Sequence, residues 1–307
     1  MLQIPSVVSD FAPDRKVLER RWDRTKTLSK QFLSNPITLL GTIIVFAFVA
    51  VAVLAPVIAP PQGGEAYQMP RNWGTQLAPP LSEGHLLGST RTGGDILYGI
   101  VWGARLTIGI SLGVTVVSVA IGVTVGSLAG FVGGWVDEVC MRIVDGLIAI
   151  PATVMAIAIV TALGASYFNI GLALSIMLWG TYARILRGEI IHVKNEEYVD
   201  AARVTGVSRI RILVKEVLPN SIHPIFVQAT LELGSVAIIA SGLAFIGLAE
   251  SGLAEWGRLT AQGQQDLIMG VWWTSLIPGA AIFLWAFGWN MIGDGLRDVL
   301  DPRMQNE

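Results

Sequence analysis

Charge is scarce in this sequence: only 14% of its 307 residues are Asp, Glu, Lys or Arg, against 52% hydrophobic residues. A soluble chain carries roughly a quarter charged residues, so a water-solvated globular domain is excluded. Cysteine is scarcer still. The single Cys140 cannot close an internal disulfide and leaves no cysteine cluster for a metal. There are three histidines, His85, His192 and His223, too dispersed for a metal site, and none begins the H-E-x-x-H pattern of zinc hydrolases. No lysine follows a glycine anywhere, so a phosphate-binding P-loop is absent. The sequence therefore names no catalytic residues and no metal ligands, and nothing in it points to nucleic acid.

What is present is long apolar runs, with a mean hydropathy of +0.59. About 20 apolar residues cross a hydrocarbon core of about 30 Å, and the pattern predicts six spans, near 37–59, 106–131, 143–163, 168–185, 224–248 and 271–292. The third is expected to be kinked or interrupted near Pro151. In the second, Gly109 and Gly113, then Gly122, Gly126 and Gly130, recur every fourth residue and predict a face that another helix approaches closely. Residues 1–36 are polar, rich in both signs and too long for a signal-peptide n-region, so they read as a retained segment ahead of the first span. Residues 37–96 then form the first span and an outer loop, and 97–307 a five-helix core.

Positive charge orients these spans. The N-terminal segment, the 132–142 turn, the 184–220 interval and the tail hold 17 of the 21 lysines and arginines. By the positive-inside rule those segments, and both termini, are cytoplasmic.

The interval 189–220 is the longest polar stretch of the second half and reads as helix, turn, helix. Asn195 is placed to cap a first helix, whose Tyr198, Ala201, Ala202 and Thr205 share a face. Gly206 gives the sharp stop. Ser208 is placed to cap a second helix, with Ile210, Leu213, Val214 and Val217 on one face until Leu218-Pro219 ends it. Such a hairpin, with no core of its own to join, is expected to offer its apolar face to another protein.

Two ionisable residues fall within spans. Asp145, one turn from Arg142, reads as half of a local charge pair. Glu232, deep in the fifth span, and Gln228 one turn before it read either as lining a pathway or as hydrogen-bonding to a neighbouring helix.

Asp200-Ala201-Ala202, three residues, Gly206, and Leu218-Pro219-Asn220 twelve residues after that glycine resemble the EAA loop of ABC-importer permeases. Further stretches resemble the C-type permease of dipeptide and oligopeptide importers. They include Gly133-Gly134-Trp135-Val136-Asp137, Met141-Arg142-Ile143-Val144-Asp145 and Gly293-Asp294-Gly295-Leu296-Arg297-Asp298. The resemblance implies an all-α membrane protein with the six-helix type I importer permease fold, in a bacterial or archaeal inner membrane. It assigns coupling to Tyr198, Asp200, Ala201, Ala202, Gly206, Leu218 and Pro219. It also implies a B-type permease, two ATP-binding subunits that hold ATP and Mg, and an extracytoplasmic solute-binding protein as partners, with no cofactor in this chain. Two outer motifs depart from the family: Thr90 and Gly94 replace an Asp and an Arg within 88–95, and the Pro-Pro pair expected within 249–257 is missing. The alternative reading is a secondary transporter or channel that works alone; such proteins often show inverted repeats, and no matching halves are visible here.

Overall fold

A computed structural model describes residues 32–61 and 65–300; the rest of the N-terminal segment, and the tail with Arg303, lie outside the described residues. Among the described residues all regular structure is helical, with isolated β-bridges only in the loops before α3 and before α11. Helix α1 (Pro36–Val53) opens where the Asn35 side chain accepts from Ile37 N–H at 3.0 Å, and after Leu54 the short α2 (Ala55–Ile58) follows. α3 (Ile96–Val132) is capped in the same way by Asp95, which accepts from Leu97 N–H at 2.8 Å. α4 (Gly134–Ile148) and α5 (Ala152–Leu163) follow, and then α6 (Tyr167–Val193). After the hairpin come α10 (His223–Phe245), α11 (Trp256–Ile268) and α12 (Trp273–Leu300).

Five of these helices are long and apolar enough to cross a membrane, and α4 with α5 makes a sixth when taken as one span. That pair bends by 83° at its break. Pro151 sits at the bend, where its ring and missing N–H end the helical hydrogen-bond ladder. The expected third span thus starts earlier than 143, and at Pro151 it is interrupted. α3 also starts ten residues before the predicted 106. At 37 residues it is about 55 Å long, so its ends project beyond a bilayer core.

α3 and α6 run side by side in the same direction. A Cβ on Gly126 would stand 2.6 Å from the Ala183 carbonyl oxygen, and one on Gly130 would stand 2.9 Å from Ile190 Cγ2. The small-residue face predicted from sequence therefore holds for Gly122, Gly126 and Gly130. It does not hold for Gly109 and Gly113, which meet nothing within 4 Å and face away from α6. The reason is helical drift: four-residue steps lag the 3.6-residue turn, and the five-residue-longer gap between the two sets rotates them apart.

α1 lies against α12 through a buried stripe of Thr38, Gly41, Val45 and Ala52. α10 packs on α12 where Gly234 meets the Ala286 backbone. α3, α6 and α10 enclose the largest apolar cluster, with Ile110, Val114, Ile170, Leu174, Val236 and Ala240 buried together.

Candidate functional site

The hairpin consists of α7 (Glu197–Val204), α8 (Arg209–Ile212), a π-turn (Leu213–Val217) and α9 (Leu218–Ser221). Glu196, not Asn195, occupies the N-cap of α7, and the Asn195 side chain instead donates to Ile191 O at 2.8 Å. Ser208 does hold the N-cap position of α8, without a side-chain capping bond. Gly206 turns the chain at φ +81°, a region that costs an L-residue about 1–2 kcal/mol.

Leu218-Pro219 does not end the second helix. Pro219 has no N–H to give residue 215, and the chain absorbs this by widening into the π-turn immediately before it. The extra residue per turn rotates the apolar face. Ile212 and Val217 become buried, whereas Ile210 and Val214 are 77% and 55% exposed.

The expectation that the hairpin lacks a core is also corrected. Val199, Ile212 and Val217 are buried with Leu186, Ile190 and Ile225, and Ala202 and Leu218 pack on the same cluster. Each fully buried aliphatic side chain contributes about 1.5–3 kcal/mol, enough to hold α7 against the ends of α6 and α10. Polar contacts add to the grip. Lys194 Nζ donates to Gly130 O at 2.6 Å, closing the end of α3 onto the end of α6. Arg203 donates to Asp200 at 2.7 Å and to Lys194 O at 3.0 Å. Arg187 forms a two-pronged pair with Asp137 at the start of α4.

What remains outward is a set of apolar residues: Tyr198 and Ala201 are exposed, and Val204 and Ile210 are 88% and 77% exposed. Burial raises the Tyr198 hydroxyl pKa, and the nearby Glu196 carboxylate adds to the rise, so the ring presents a neutral donor. Of the residues expected here, Tyr198, Ala201, Gly206 and Pro219 are on the surface. Asp200 is engaged by Arg203, and Ala202 and Leu218 face inward. Ile210 was expected on the apolar face of the second helix. Val204 was not; it lies outside the expected Tyr198, Ala201, Ala202 and Thr205 face.

Of the two intramembrane carboxylates, Asp145 is placed differently from the expectation. Asp145 pairs with Arg184 of α6, and Arg142 is taken by Glu138 one turn back at 3.3 Å. Glu232 is 5% exposed and lies beside the Tyr182 hydroxyl of α6, so it is turned to a neighbouring helix within this chain. Gln228 is half-buried on α10. Gly109, Ile110, Ser111, Leu112 and Gly113 spell a G-x-S-x-G pattern, but in mid-helix, with the Ser111 hydroxyl buried and unpartnered. A nucleophile elbow needs a strand-to-helix turn and a base, and neither is there.

Away from the hairpin, both unusual motifs fall in one layer of loops around α11. Arg91 grips Asp266 of α11 through Nε at 2.8 Å, and Asp266 is 1% exposed. The 249–257 segment pairs with the loop before α3 through Met69 N–H to Gly252 O at 3.0 Å and Ala254 N–H to Tyr67 O at 2.8 Å. Within that layer Glu250 accepts from Ser166 Oγ and from Tyr167 N–H at 2.8 Å, capping α6 from another segment. Burial would raise its pKa, but these hydrogen bonds outweigh it and hold the carboxyl below its ordinary range.

Residues 122–306 match the family model described as binding-protein-dependent transport system inner membrane component. Residues 25–80 match the N-terminal transmembrane domain of oligopeptide transport permease C. The chain belongs to this family of inner-membrane transport permeases. Relatives agree along nearly the whole length. A dipeptide transport system permease protein of Alkalihalophilus pseudofirmus is 37% identical over 278 residues, 90% of this chain and 89% of the relative. A probable D,D-dipeptide transport system permease protein of Escherichia coli is 36% identical over 88% of each chain. The oligopeptide transport system permease protein OppC of Bacillus subtilis is 33% identical over 94% of this chain and 93% of its own. The fold is thus the type I ABC permease fold, and the chain is a multi-pass inner-membrane subunit of a binding-protein-dependent transporter.

Proposed function

We propose that this permease forms half of the translocation pathway of an importer for di- or oligopeptides, or a related small solute. Its 195–219 hairpin docks on a separate ATP-hydrolysing subunit. The observation that carries the reading is the set of outward apolar residues Tyr198, Ala201, Val204 and Ile210 on a hairpin that is itself packed onto α6 and α10. Apolar residues exposed together mark a partner surface, and rigidly mounted ones transmit a partner's movement to the spans.

In this reading Tyr198, Ala201, Val204 and Ile210 touch the partner. Asp200 steadies Arg203, Ala202 and Leu218 fix the mounting, Gly206 sets the exit angle, and Pro219 imposes the π-turn. Gln228 lines the pathway. ATP and Mg belong to two partner ATPases, and this chain, without a P-loop, carries no cofactor. A B-type permease completes the pathway and a solute-binding protein delivers cargo outside. The clustering of basic residues supports a cytoplasmic hairpin and cytoplasmic termini. The names of the relatives support a peptide-like substrate.

Disulfide cross-linking tests the docking. Ala201→Cys in a chain with Cys140 replaced should cross-link to a cysteine series on the co-expressed ATPase, and Gln262→Cys should not. Cross-linking of residue 262 alone would reject it.

A further inference from the structure

Several hydroxyls within the spans bond back to their own helix: Thr124 to Ala120 O at 2.7 Å, Thr161 to Ile157 O at 2.7 Å, and Ser175 to Gly171 O at 2.8 Å. One column on α3 behaves otherwise. Thr107, Ser111, Thr115 and Ser118 recur at steps of four, four and three residues, on one face. Thr107, Ser111 and Ser118 are 0% exposed and Thr115 is 5% exposed, yet none of the four hydroxyls bonds back to its own helix.

Both ends of the column meet buried acids. At one end the Tyr167 hydroxyl lies beside Thr107 and near Glu255. Glu255 is 0% exposed and accepts from Ser241 Oγ of α10 at 2.9 Å. At the other end Tyr182 stands opposite Gly122, one turn past Ser118, beside Glu232. The Tyr182 hydroxyl and Glu232 Oε1 are again buried without a closed hydrogen bond.

Buried polar atoms are almost always satisfied, and ordered water commonly does it where no protein group can. The spacing fits. Residues three or four apart on a helix stand about 5–6 Å apart, the span of one water bonded at about 2.8 Å to each neighbour. Beside the larger Val236 and Leu243, α10 adds the small Ala237 and Ala240 to this core, and at those two positions it leaves width for water.

We propose that ordered water molecules thread a polar seam inside this single subunit, along Thr107, Ser111, Thr115 and Ser118, joining Glu255 at one end to Glu232 at the other. The seam is about 16 Å long. It is enclosed by this chain's own helices, so it is separate from a pathway shared with a second permease. Contacts bridged by water re-form readily when helices shift, and the seam lies where α3, α6 and α10 meet.

Hydroxyl-radical footprinting of the assembled complex in lipid nanodiscs reads buried water directly. Tyr182, 0% exposed, should label at least severalfold faster than Trp102, which is 3% exposed with its indole N–H bonded to Ala59 O. A rate equal to or below that of Trp102 overturns the proposal. The near-isosteric Thr115→Val gives a second reading through its sign. Removing a water-bound hydroxyl orphans the water's other partners and should lower the melting temperature by about 2 °C or more. Removing a dry, unpartnered hydroxyl relieves a penalty instead, so a rise in melting temperature overturns the proposal equally.

Discussion

The contact between α3 and α6 is close enough to forbid any side chain at Gly126. A Cβ there would sit 2.6 Å from the Ala183 carbonyl oxygen and 3.0 Å from Ala183 Cα, whereas non-bonded carbons prefer about 3.5–4.0 Å. Even alanine would require the helices to part by roughly 1 Å, and a gap of that size forfeits a quarter to a half of each neighbouring contact's attraction. Gly122 against Tyr182 and Gly130 against Ile190 share the seam and would open with it. Overpacking of this kind costs about 1–3 kcal/mol, and Gly126→Leu should reach the upper end. Gly113→Leu is the control, because its Cβ meets nothing within 4 Å. The assay is thermal unfolding of the purified chain in detergent, followed by size-exclusion fluorescence. Gly126→Leu should melt well below wild type and Gly113→Leu close to it. Equal melting of all three, or greater damage from Gly113→Leu, would refute this account of the packing.

Two more outcomes follow from the same geometry. At Gly206 the chain leaves open space around a Cβ, so Gly206→Val meets backbone strain alone; at φ +81° that strain is about 1–3 kcal/mol, and the variant should insert normally but show weakened co-purification of the ATPase. Burial pushes the Glu255 carboxyl up to about 7, against the opposing hydrogen bonds from Arg258 N–H, Gly257 N–H and Ser241. The folded state therefore holds this proton more tightly than the unfolded chain. That contribution is fully present below the ordinary carboxylate value and is lost as pH rises through about 7, amounting to about 3 kcal/mol. Melting temperature should fall from pH 5 to pH 8 in wild type and less steeply in Glu255→Gln, and identical slopes would remove Glu255 as the cause.

Spans, hairpin and glycine turn were legible in the sequence because each depends on a local property: hydropathy over a window, a polar interval between apolar runs, a residue able to take positive φ. Pairings between distant segments were not. Asp145 was matched to Arg142 because both lie on one helix, but Arg184 reaches it from the adjacent α6. Arg91 and Asp266 are far apart in sequence, and their contact exists only because the loop before α3 folds over α11. The face of the second hairpin helix was misread for a subtler reason. A constant 3.6-residue period was assumed across Leu213–Val217, where the turn widens before Pro219 and carries Val217 inward with Ile212, leaving only Ile210 and Val214 of the expected face outward. Glu232 was visible as a costly intramembrane acid, but its neighbour Tyr182 depends on how α6 and α10 pack together.

The central claim is that the 195–219 hairpin couples this subunit to ATP hydrolysis elsewhere. Its most direct test is Ala201→Trp in the complete complex reconstituted in liposomes, with solute uptake and ATP hydrolysis measured with and without loaded binding protein. Ala201 is exposed on α7, away from the buried Val199 side, so the indole disturbs a partner's groove and not the chain's own core. The account predicts normal membrane insertion, loss of uptake and loss of substrate-stimulated ATP hydrolysis together. Wild-type uptake and stimulation in Ala201→Trp would contradict it and reduce the hairpin to a connector between spans.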